Sequence, residues 1–301
     1  MLSLRTSLAS LSSQNALRRA SSTLATSQTR LSTGYRVNSA MDDAAGLQLA
    51  TRLSAQSSGM AVAMRNTQNG ISMLQTADGM LDEVSNLLTR LGELAVQAAD
   101  GSSTQADRDA LHAEYVTQSK QIDQIINEGV YAGKYLMRYI VAPSGPDGPG
   151  TLGDSAITFQ TGASAKETIN IDFRPFLGRL NGSLYYAIDD ESLSGFPVDG
   201  PGTELTSAES ANALIGKIAE AADDVGALRA QLGATSNRLN SVFRNLANVR
   251  NNTEAARGRI VDTDFATEAA NATQDQMLTQ SASAMLKQSN SLSQLVITLV
   301  Q

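Results

Sequence analysis

The sequence predicts a mainly α protein, a long antiparallel helical rod or coiled coil built from both chain ends, with a small β-rich insert domain in the middle. Three observations support this fold class. All six prolines fall between Pro143 and Pro201, although each proline costs about 3 kcal/mol in a helix interior. Apolar residues recur in steps of three and four on both sides of that window. Aromatic residues make up only 4% of the 301 residues, as is typical of helices packed side by side.

The first predicted helix has a stripe of small and aliphatic side chains with helical spacing. Its positions are Leu17, Ala20, Leu24, Ser27 and Leu31. No acidic residue precedes Asp42, so this basic, Ser/Thr-rich segment also fits a mitochondrial transit peptide. A matching stripe at the far end of the chain favours a helix that needs a partner, because a single amphipathic helix cannot bury its apolar face alone.

The next stretch, "RLSTGYRVNSAMDDAAG" from Arg30 to Gly46, is predicted to be an inter-domain joint. Gly34 stands where a helix would stop, and "YRVN" resembles an extended connector. Ser39, followed by Asp42 at the third position, predicts the N-cap of the next helix. The alternative is a metal or acid/base site at the adjacent aspartates, and it lacks companion ligands at suitable spacing.

A long helix and a shorter one are predicted to follow the joint. The long helix has its stripe at Ile71, Leu74, Leu81, Val84, Leu88, Leu91 and Ala95, and the shorter helix has Leu111, Tyr115, Ile122 and Ile125. A turn at "DGSST" separates them. The predicted insert then runs from Val141 to Thr203, where "SAITFQTG" and "ETINIDFRPF" alternate apolar and polar residues as β-strands do.

The C-terminal part has the most regular periodicity of the chain. Its stripe is Leu214, Ile218, Ala221, Val225, Leu228, Leu232, Thr235, Leu239, Val242, Leu246 and Val249. Thr206 and Glu209 have the spacing of a capping box at its start. A further stripe follows at Leu278, Ala282, Met285, Ser289, Leu292, Val296 and Leu299. We expect the two terminal stripes to pair with each other, with copies of themselves, or both.

Charge and composition exclude several classes of protein. The formal net charge is -7, which argues against a nucleic-acid binder. The absence of cysteine excludes disulfides and thiolate sites. His112 is the single histidine and has no metal-binding or catalytic companions, so an enzyme, a metal site and a cofactor are not expected. No signal-peptide core or membrane-spanning apolar run is present, so no membrane association is expected.

Three motifs resemble the bacterial flagellins. The stretch at Arg30–Gly46 resembles their N-terminal signature, "ARGRIVDTDFATE" (Ala256 to Glu268) resembles their C-terminal one, and the resemblance extends into "SASAMLKQSNSLSQLVITLVQ". It implies an inner coiled coil from 1–33 and 269–301, a helical rod domain from 34–140 and 204–268, and an outer insert at 141–203. The chain departs from the family pattern at "LRTS" (Leu4 to Ser7) and at Ser293.

The resemblance implies a structural subunit that polymerises through its terminal helices into an extracellular flagellar filament for motility. The predicted polymerisation seams are Leu17, Leu24, Leu31, Leu278, Met285, Leu292, Val296 and Leu299. Implied partners are further copies of the chain, a flagellar export chaperone and export apparatus, and hook-associated and cap proteins. Export without a cleavable signal peptide is also implied. The alternatives are a hook-filament junction protein, or a surface adhesin or immune-receptor agonist acting through exposed segments.

One further set of residues follows from the same resemblance. Flagellins of many bacteria are recognised by the vertebrate Toll-like receptor for flagellin through an arginine, a leucine and a glutamate. The matching residues here are Arg90 and Leu94 in "TRLGELAVQ" and Glu114 in "LHAEY". The competing interpretation is that Leu94 is buried in the helix seam and that the two charged side chains are ordinary solvated residues.

Overall fold

Seven helices and four short strands make up the described part of the chain, which covers residues 8–138, 150–188 and 205–300 of a computed structural model. The helices are α1 (Leu8–Thr33), α2 (Ala44–Ala99), α3 (Gln105–Glu128), α4 (Thr151–Asp154), α5 (Arg174–Ile188), α6 (Ala208–Val261) and α7 (Phe265–Val300). The strands are β1 (Val130–Tyr131), β2 (Lys134–Tyr135), β3 (Ile157–Gln160) and β4 (Thr168–Ile171). The predicted fold class, with long antiparallel helices from both ends and small strands in the middle, is confirmed.

The chain divides into two compact units. One unit combines the residues up to Ser57 with those from Arg250 onward, and the other runs from Ser58 to Val249. The helices α2 and α6 contribute residues to both units.

The core of the Ser58–Val249 unit is an antiparallel seam between α2 and α6. Its direction follows from two close approaches, Gly70 to Leu239 and Gly92 to Ile218. The predicted stripes of both helices are buried from Ile71 to Ala95 and from Leu214 to Leu239. Further along α6, Val242 and Leu246 are only partly buried. The large leucine side chains of both helices fill the space between them and make the packing tight.

The helix α3 and the β3–β4 hairpin contribute buried residues to the same core. The helix α3 begins with a capping box between Thr104 and Asp107. The hairpin β3–β4 is antiparallel, with Ile157 opposite Ile171. Its Phe159 ring lies over Gly70, where an added Cβ would come within 2.7 Å of the ring, and Ala163 lies equally close to Gly59. Glycine at these two positions therefore lets the hairpin approach the α2 backbone.

The segment predicted to be the insert contains a helix that the alternating pattern did not predict. The strand prediction for "ETINIDFRPF" is right only as far as Ile171, because α5 begins at Arg174. Its buried side chains include Leu177, Leu180, Leu184 and Ala187. These positions have helical spacing, which was missed because the residues just before them alternate as in a strand. Pro175 lies in the first turn of α5, where no intrahelical N–H bond is lost.

The start of α6 differs by one residue from the predicted capping box. The helix begins at Ala208, and Ser207 is the residue that caps it, not Thr206. The Ser210 N–H donates to the Ser207 hydroxyl at 3.1 Å, and the Ser207 N–H donates to the Ser210 hydroxyl at 3.2 Å. Two serines thus perform the reciprocal bonding that was predicted for Thr206 and Glu209, because a serine hydroxyl at the third position can also accept this bond.

Candidate self-assembly site on the terminal helices

The terminal helices α1 and α7 pack against each other in antiparallel orientation. The Ser10 hydroxyl lies 3.4 Å from the Asn290 side-chain oxygen, and the Arg30 guanidinium lies 3.7 Å from the Glu268 carboxylate. Low residue numbers on α1 therefore meet high ones on α7. The Cα atoms of the two helices approach within 8 Å along the pair. This close packing requires small side chains between the helices.

The faces that meet are small and partly polar. On α1, Ala20 and Ser27 are buried, whereas Leu17, Leu24 and Leu31 are half-buried. The face of α7 that turns inward repeats in steps of four and three, and it consists of Glu268, Ala272, Asp275, Thr279, Ala282, Leu286 and Ser289. A single leucine in that series means that the pair buries little apolar surface for its length.

Two larger apolar side chains of α7 lie exposed beside this contact. Leu278 is 48% exposed and Met285 is 66% exposed. The two lie seven residues apart, about 10 Å along the helix, and so share one face. They flank an open groove of about 500 Å³ between the helices. Its other lining residues include Ala16, Arg19, Ala20 and Ala282.

The predicted seam of the C-terminal helix is therefore divided between two faces. Ala282 and Ser289 are buried or half-buried against α1, but Leu278 and Met285 lie exposed along the groove beside it. The inward positions Thr279 and Leu286 were missed, because two stripes with the same step overlap on one helix. The opposite charges of Glu268 and Arg30 could have indicated which positions of α7 face α1. The side chains of the remaining predicted seam positions, Leu292, Val296 and Leu299, lie outside the described residues.

At the joint, two connecting segments run side by side. Gly34 directly follows α1 and has φ +75°, a left-handed conformation that glycine adopts without strain. Its carbonyl accepts a hydrogen bond from the Thr263 N–H at 2.9 Å. The Arg36 N–H donates to the Val261 carbonyl at 2.6 Å, and Tyr35 and Asp262 form an antiparallel bridge. The joint is therefore a short hydrogen-bonded ladder.

Arg36 also satisfies the end of a helix. Its guanidinium Nη2 donates to the Ile260 carbonyl at 2.6 Å, in the last turn of α6. Carbonyls in a last turn have no intrahelical donor, and the helix dipole favours a positive charge there. Arg36 was not among the predicted joint residues. A basic residue near a helix C-terminus is a known capping signal, but here it comes from a different part of the chain, where sequence spacing does not reveal it.

Asp43 caps α2, and the prediction of Ser39 as its N-cap is wrong. The helix begins at Ala44, and the Asp43 carboxylate accepts a hydrogen bond from the Gly46 N–H at 2.8 Å. Ser39 and Asp42 instead form a turn that precedes the helix, in which the Ser39 N–H donates to Asp42 Oδ2 at 2.8 Å. The serine and aspartate have cap spacing, but they close a local loop with the same chemistry.

The Asp42 turn has an electrostatic consequence. Hydrogen bonds from the Ser39 backbone, the Ser39 hydroxyl and the Asn38 backbone hold the pKa of Asp42 below its usual value. Asp264 has a similar role at the start of α7, where the Thr267 hydroxyl and the Ala266 N–H lower the pKa of its carboxyl. Both carboxylates are ionised at neutral pH and stabilise backbone N–H groups around the joint.

A second set of predicted residues lies in the Ser58–Val249 unit. The Arg90 guanidinium contacts the Glu114 carboxylate at 2.8 Å and the Glu93 carboxylate at 2.9 Å. The hydrogen bond to Glu114 is the main reason why the pKa of Arg90 is raised. Leu94, in contrast, is 1% exposed and belongs to the core. The structure therefore brings Arg90 and Glu114 together on the surface and places Leu94 beneath it.

The described residues offer no other site chemistry of the kinds considered in the sequence. Within 8–138, 150–188 and 205–300 there is no group of three or more His, Asp or Glu side chains that could hold a metal ion. His112 is half-buried on α3. No helix in those ranges combines the length and the apolar character needed to cross a membrane.

Comparisons with known proteins show the family. The family model of the bacterial flagellin N-terminal helical region matches residues 4–141, and that of the C-terminal helical region matches residues 215–300. The chain is 31% identical to a flagellin of Listeria innocua over 99% of both chains. It is 30% identical to flagellin D of Vibrio anguillarum, again over 99% of both.

Among solved structures, one similar chain is described as a flagellar hook-associated protein from Vibrio parahaemolyticus. It matches 73% of this chain and 100% of its own length with a TM-score of 0.56. Because the identity is 18%, this likeness concerns the fold alone. The two family matches together span most of the sequence, including both terminal helices and the joint. The chain thus belongs to the bacterial flagellin family, whose members are structural subunits of the flagellar filament and not enzymes.

Proposed function

We propose that this chain is exported from the cell and polymerises through its terminal helices into an extracellular flagellar filament used for motility. The observation that carries the proposal is the exposure of Leu278 and Met285 on a helix that already has a partner. The same helix turns mostly small and polar side chains, and one leucine, toward α1. An isolated soluble chain would gain more by the opposite arrangement, with its larger apolar side chains inward.

Burial of these side chains against a second copy supplies a driving force for assembly. A fully buried leucine or methionine stabilises by about 1.5–3 kcal/mol. The contact would be between different surfaces of identical chains, since α1 and α7 already use their inward faces on each other. A contact of this kind that does not close into a ring produces a helical filament. Seams of small residues also allow several helices to pack closely.

The proposal extends to the partners of the assembly pathway. We expect a flagellar export chaperone to hold the C-terminal part before export, and hook-associated and cap proteins to bound the filament. A chain without cysteine forms no disulfide that would obstruct passage in an unfolded state. This route would deliver the subunit outside the cell without a cleavable signal peptide. The family matches favour a filament subunit over the hook-filament junction protein and the surface adhesin.

The test compares assembly of the native chain with that of a Leu278→Ser/Met285→Ser variant. Purified chains are depolymerised by heat, cooled with filament seeds, and measured by sedimentation and electron microscopy. The native chain is expected to give long filaments and the variant to remain monomeric. Met277→Ser is the matched control, because Met277 is 58% exposed on α7 but does not line the groove.

Circular dichroism shows whether the variant monomer keeps its helices. If the double variant forms filaments as readily as the native chain, the Leu278 and Met285 face is not the assembly surface. If the native chain stops at short rings, the hook-filament junction protein becomes the better assignment.

A second proposal concerns the vertebrate Toll-like receptor for flagellin. The Arg90 and Glu114 side chains are both exposed and form one charged surface feature. We propose that these two residues contact the receptor directly, and that Leu94 supports them from the core. Arg90→Glu should abolish signalling in receptor-expressing reporter cells, and Arg65→Glu, at another exposed position of α2, should not. Equal signalling by both variants would exclude a contact at Arg90.

A further inference from the structure

The described methionines differ in exposure, and two of them, Met64 and Met80, are half-buried. Met60, Met73 and Met137 are buried. Met41, Met277 and Met285 are exposed, with Met41 in the connector at 96%. A thioether in solvent can be oxidised, while a buried one is shielded from the oxidant. Exposure alone does not distinguish Met285 from the other two.

The surroundings of Met285 do distinguish it. Met285 lines the groove between α1 and α7, and Leu278 lies two helical turns away on the same side. Met41 and Met277 are not among the groove residues. Thioethers adapt well to irregular apolar contacts, so Met285 suits a surface that a second helix must cover. An added polar atom at this position would alter that surface directly.

We propose that Met285 is an oxidation site through which peroxides control self-association of the free chain. The inference rests on the proposed function, since it assumes that the Leu278 and Met285 face is covered by another copy. The thioether sulfur donates a lone pair to one oxygen of a hydroperoxide, the O–O bond breaks, and methionine sulfoxide and water or an alcohol are formed. The sulfur is oxidised and the peroxide is reduced, so no further reactant is required.

The sulfoxide disfavours assembly for a physical reason. Its oxygen is a strong hydrogen-bond acceptor that water satisfies in the free chain. On assembly it would lose that water against an apolar surface, and an unsatisfied buried acceptor is costly. Oxidation therefore weakens the assembled state relative to the monomer. Conversely, a chain already in the filament has Met285 covered, so the filament protects the site that the monomer exposes.

The experiment treats monomeric chains with hydrogen peroxide and measures their critical concentration for seeded assembly. Peptide mass spectrometry reports oxygen addition at each methionine. Three chains are compared: the native chain, Met285→Leu, and Met41→Leu/Met277→Leu. Each is compared with its own untreated sample, so any change in basal assembly caused by a substitution cancels. Methionine sulfoxide reductases of both epimer specificities are then added to reverse the modification.

Oxidation is expected to raise the critical concentration of the native chain and of the Met41→Leu/Met277→Leu variant by about tenfold, the effect of one unsatisfied polar group. Met285→Leu should show little change, and the reductases should restore the native chain. Preformed filaments should acquire oxygen at Met41 before Met285.

Two results would overturn the inference. One is unchanged assembly of the native chain after Met285 has been oxidised, and the other is equal inhibition of the Met285→Leu variant. A native chain that fails to assemble even without peroxide would instead contradict the proposed function, so the two failures are distinguishable.

Discussion

The α2–α6 seam and the α1–α7 pair have the same spacing of apolar positions but differ in what fills them. In the α2–α6 seam most stripe residues are leucine, isoleucine or valine, and the stripe is buried from Ile71 to Ala95 and from Leu214 to Leu239. In the terminal pair the buried positions are mostly alanine and serine, and the leucines of α1 remain half-buried. The comparison teaches that periodicity determines which face of a helix turns inward, and side-chain size determines how much that contact stabilises.

The two kinds of helix contact also suit different purposes. Large interlocking side chains stabilise a pair permanently, since removing one leaves a cavity. Small side chains allow close approach at a modest gain, and they leave the larger apolar groups of the same helix available for a further partner. The following predictions test this contrast, beginning with the largest expected effect.

Removing a seam leucine from each region should have unequal costs. Leu228→Ala in α6 is expected to lower the free energy of unfolding by about 2–5 kcal/mol, because Leu228 is completely buried and a cavity would remain. Leu24→Ala in α1 should cost only about 1 kcal/mol, since part of the side chain is already in water. Urea denaturation followed by circular dichroism measures both. Equal losses would show that the terminal pair is as tightly packed as the α2–α6 seam.

The hairpin contact on α2 should be sensitive to one added methyl group. Gly70→Ala places a Cβ within 2.7 Å of the Phe159 ring, with Leu239 also close, and is expected to cost about 1–3 kcal/mol through overpacking. Gly79→Ala is the matched control in the same helix, as nothing lies within 4 Å of its added Cβ. That control should stabilise by about 0.5–1 kcal/mol. Thermal unfolding of the two variants should therefore shift in opposite directions.

An ion-pair cluster between α2 and α6 should contribute less. Arg229 contacts Asp78 at 3.0 Å and Asp82 at 2.8 Å. Because all three side chains are partly exposed, Arg229→Gln should cost no more than about 1 kcal/mol. The loss should shrink as salt is added, since salt screens exposed charges. A loss that is independent of salt would indicate that the Arg229 stem acts by packing instead.

The smallest effect concerns pH at the joint. The pKa of Asp42 is lowered in the folded chain, and the largest cause is the hydrogen bond from the Ser39 backbone. The ionised carboxylate is therefore more stable in the folded state than in the unfolded one. This contribution is complete above the ordinary aspartate pKa, 3.8, and is lost as the pH falls through the lower folded value. Asp42→Asn should therefore be less stable than the native chain at neutral pH. The two denaturation curves should converge in acid, and a constant gap at every pH would refute this origin.

Sequence patterns predicted the buried face of a helix correctly where the helix has a single apolar stripe. The stripe from Leu214 to Leu239 is buried as predicted, because no competing pattern shares that helix. Patterns were insufficient where two overlapped. On α7 two stripes have the same step, and only the partner helix selects the one that turns inward. At α5 the helical spacing of Leu177 and Leu180 was hidden behind a strand-like alternation.

Local cap chemistry was predicted less well than helix position. Ser39, Asp42 and Asp43 all have residue types that cap helices, and single-residue differences in backbone direction determine which carboxylate reaches the N–H groups. The Arg36 bond to the Ile260 carbonyl joins residues 224 positions apart. No local spacing encodes such a contact, so it became visible only in the folded chain.

The ladder at the joint has a mechanical consequence. The segment after α1 and the segment before α7 run in opposite directions and are tied laterally by the Arg36 to Val261 and Thr263 to Gly34 bonds. A pull applied to α1 alone is therefore carried across the ladder to the second segment, and the two strands bear the tension together. In the motility filament proposed above, load sharing between the two strands would protect either one from being extended by itself.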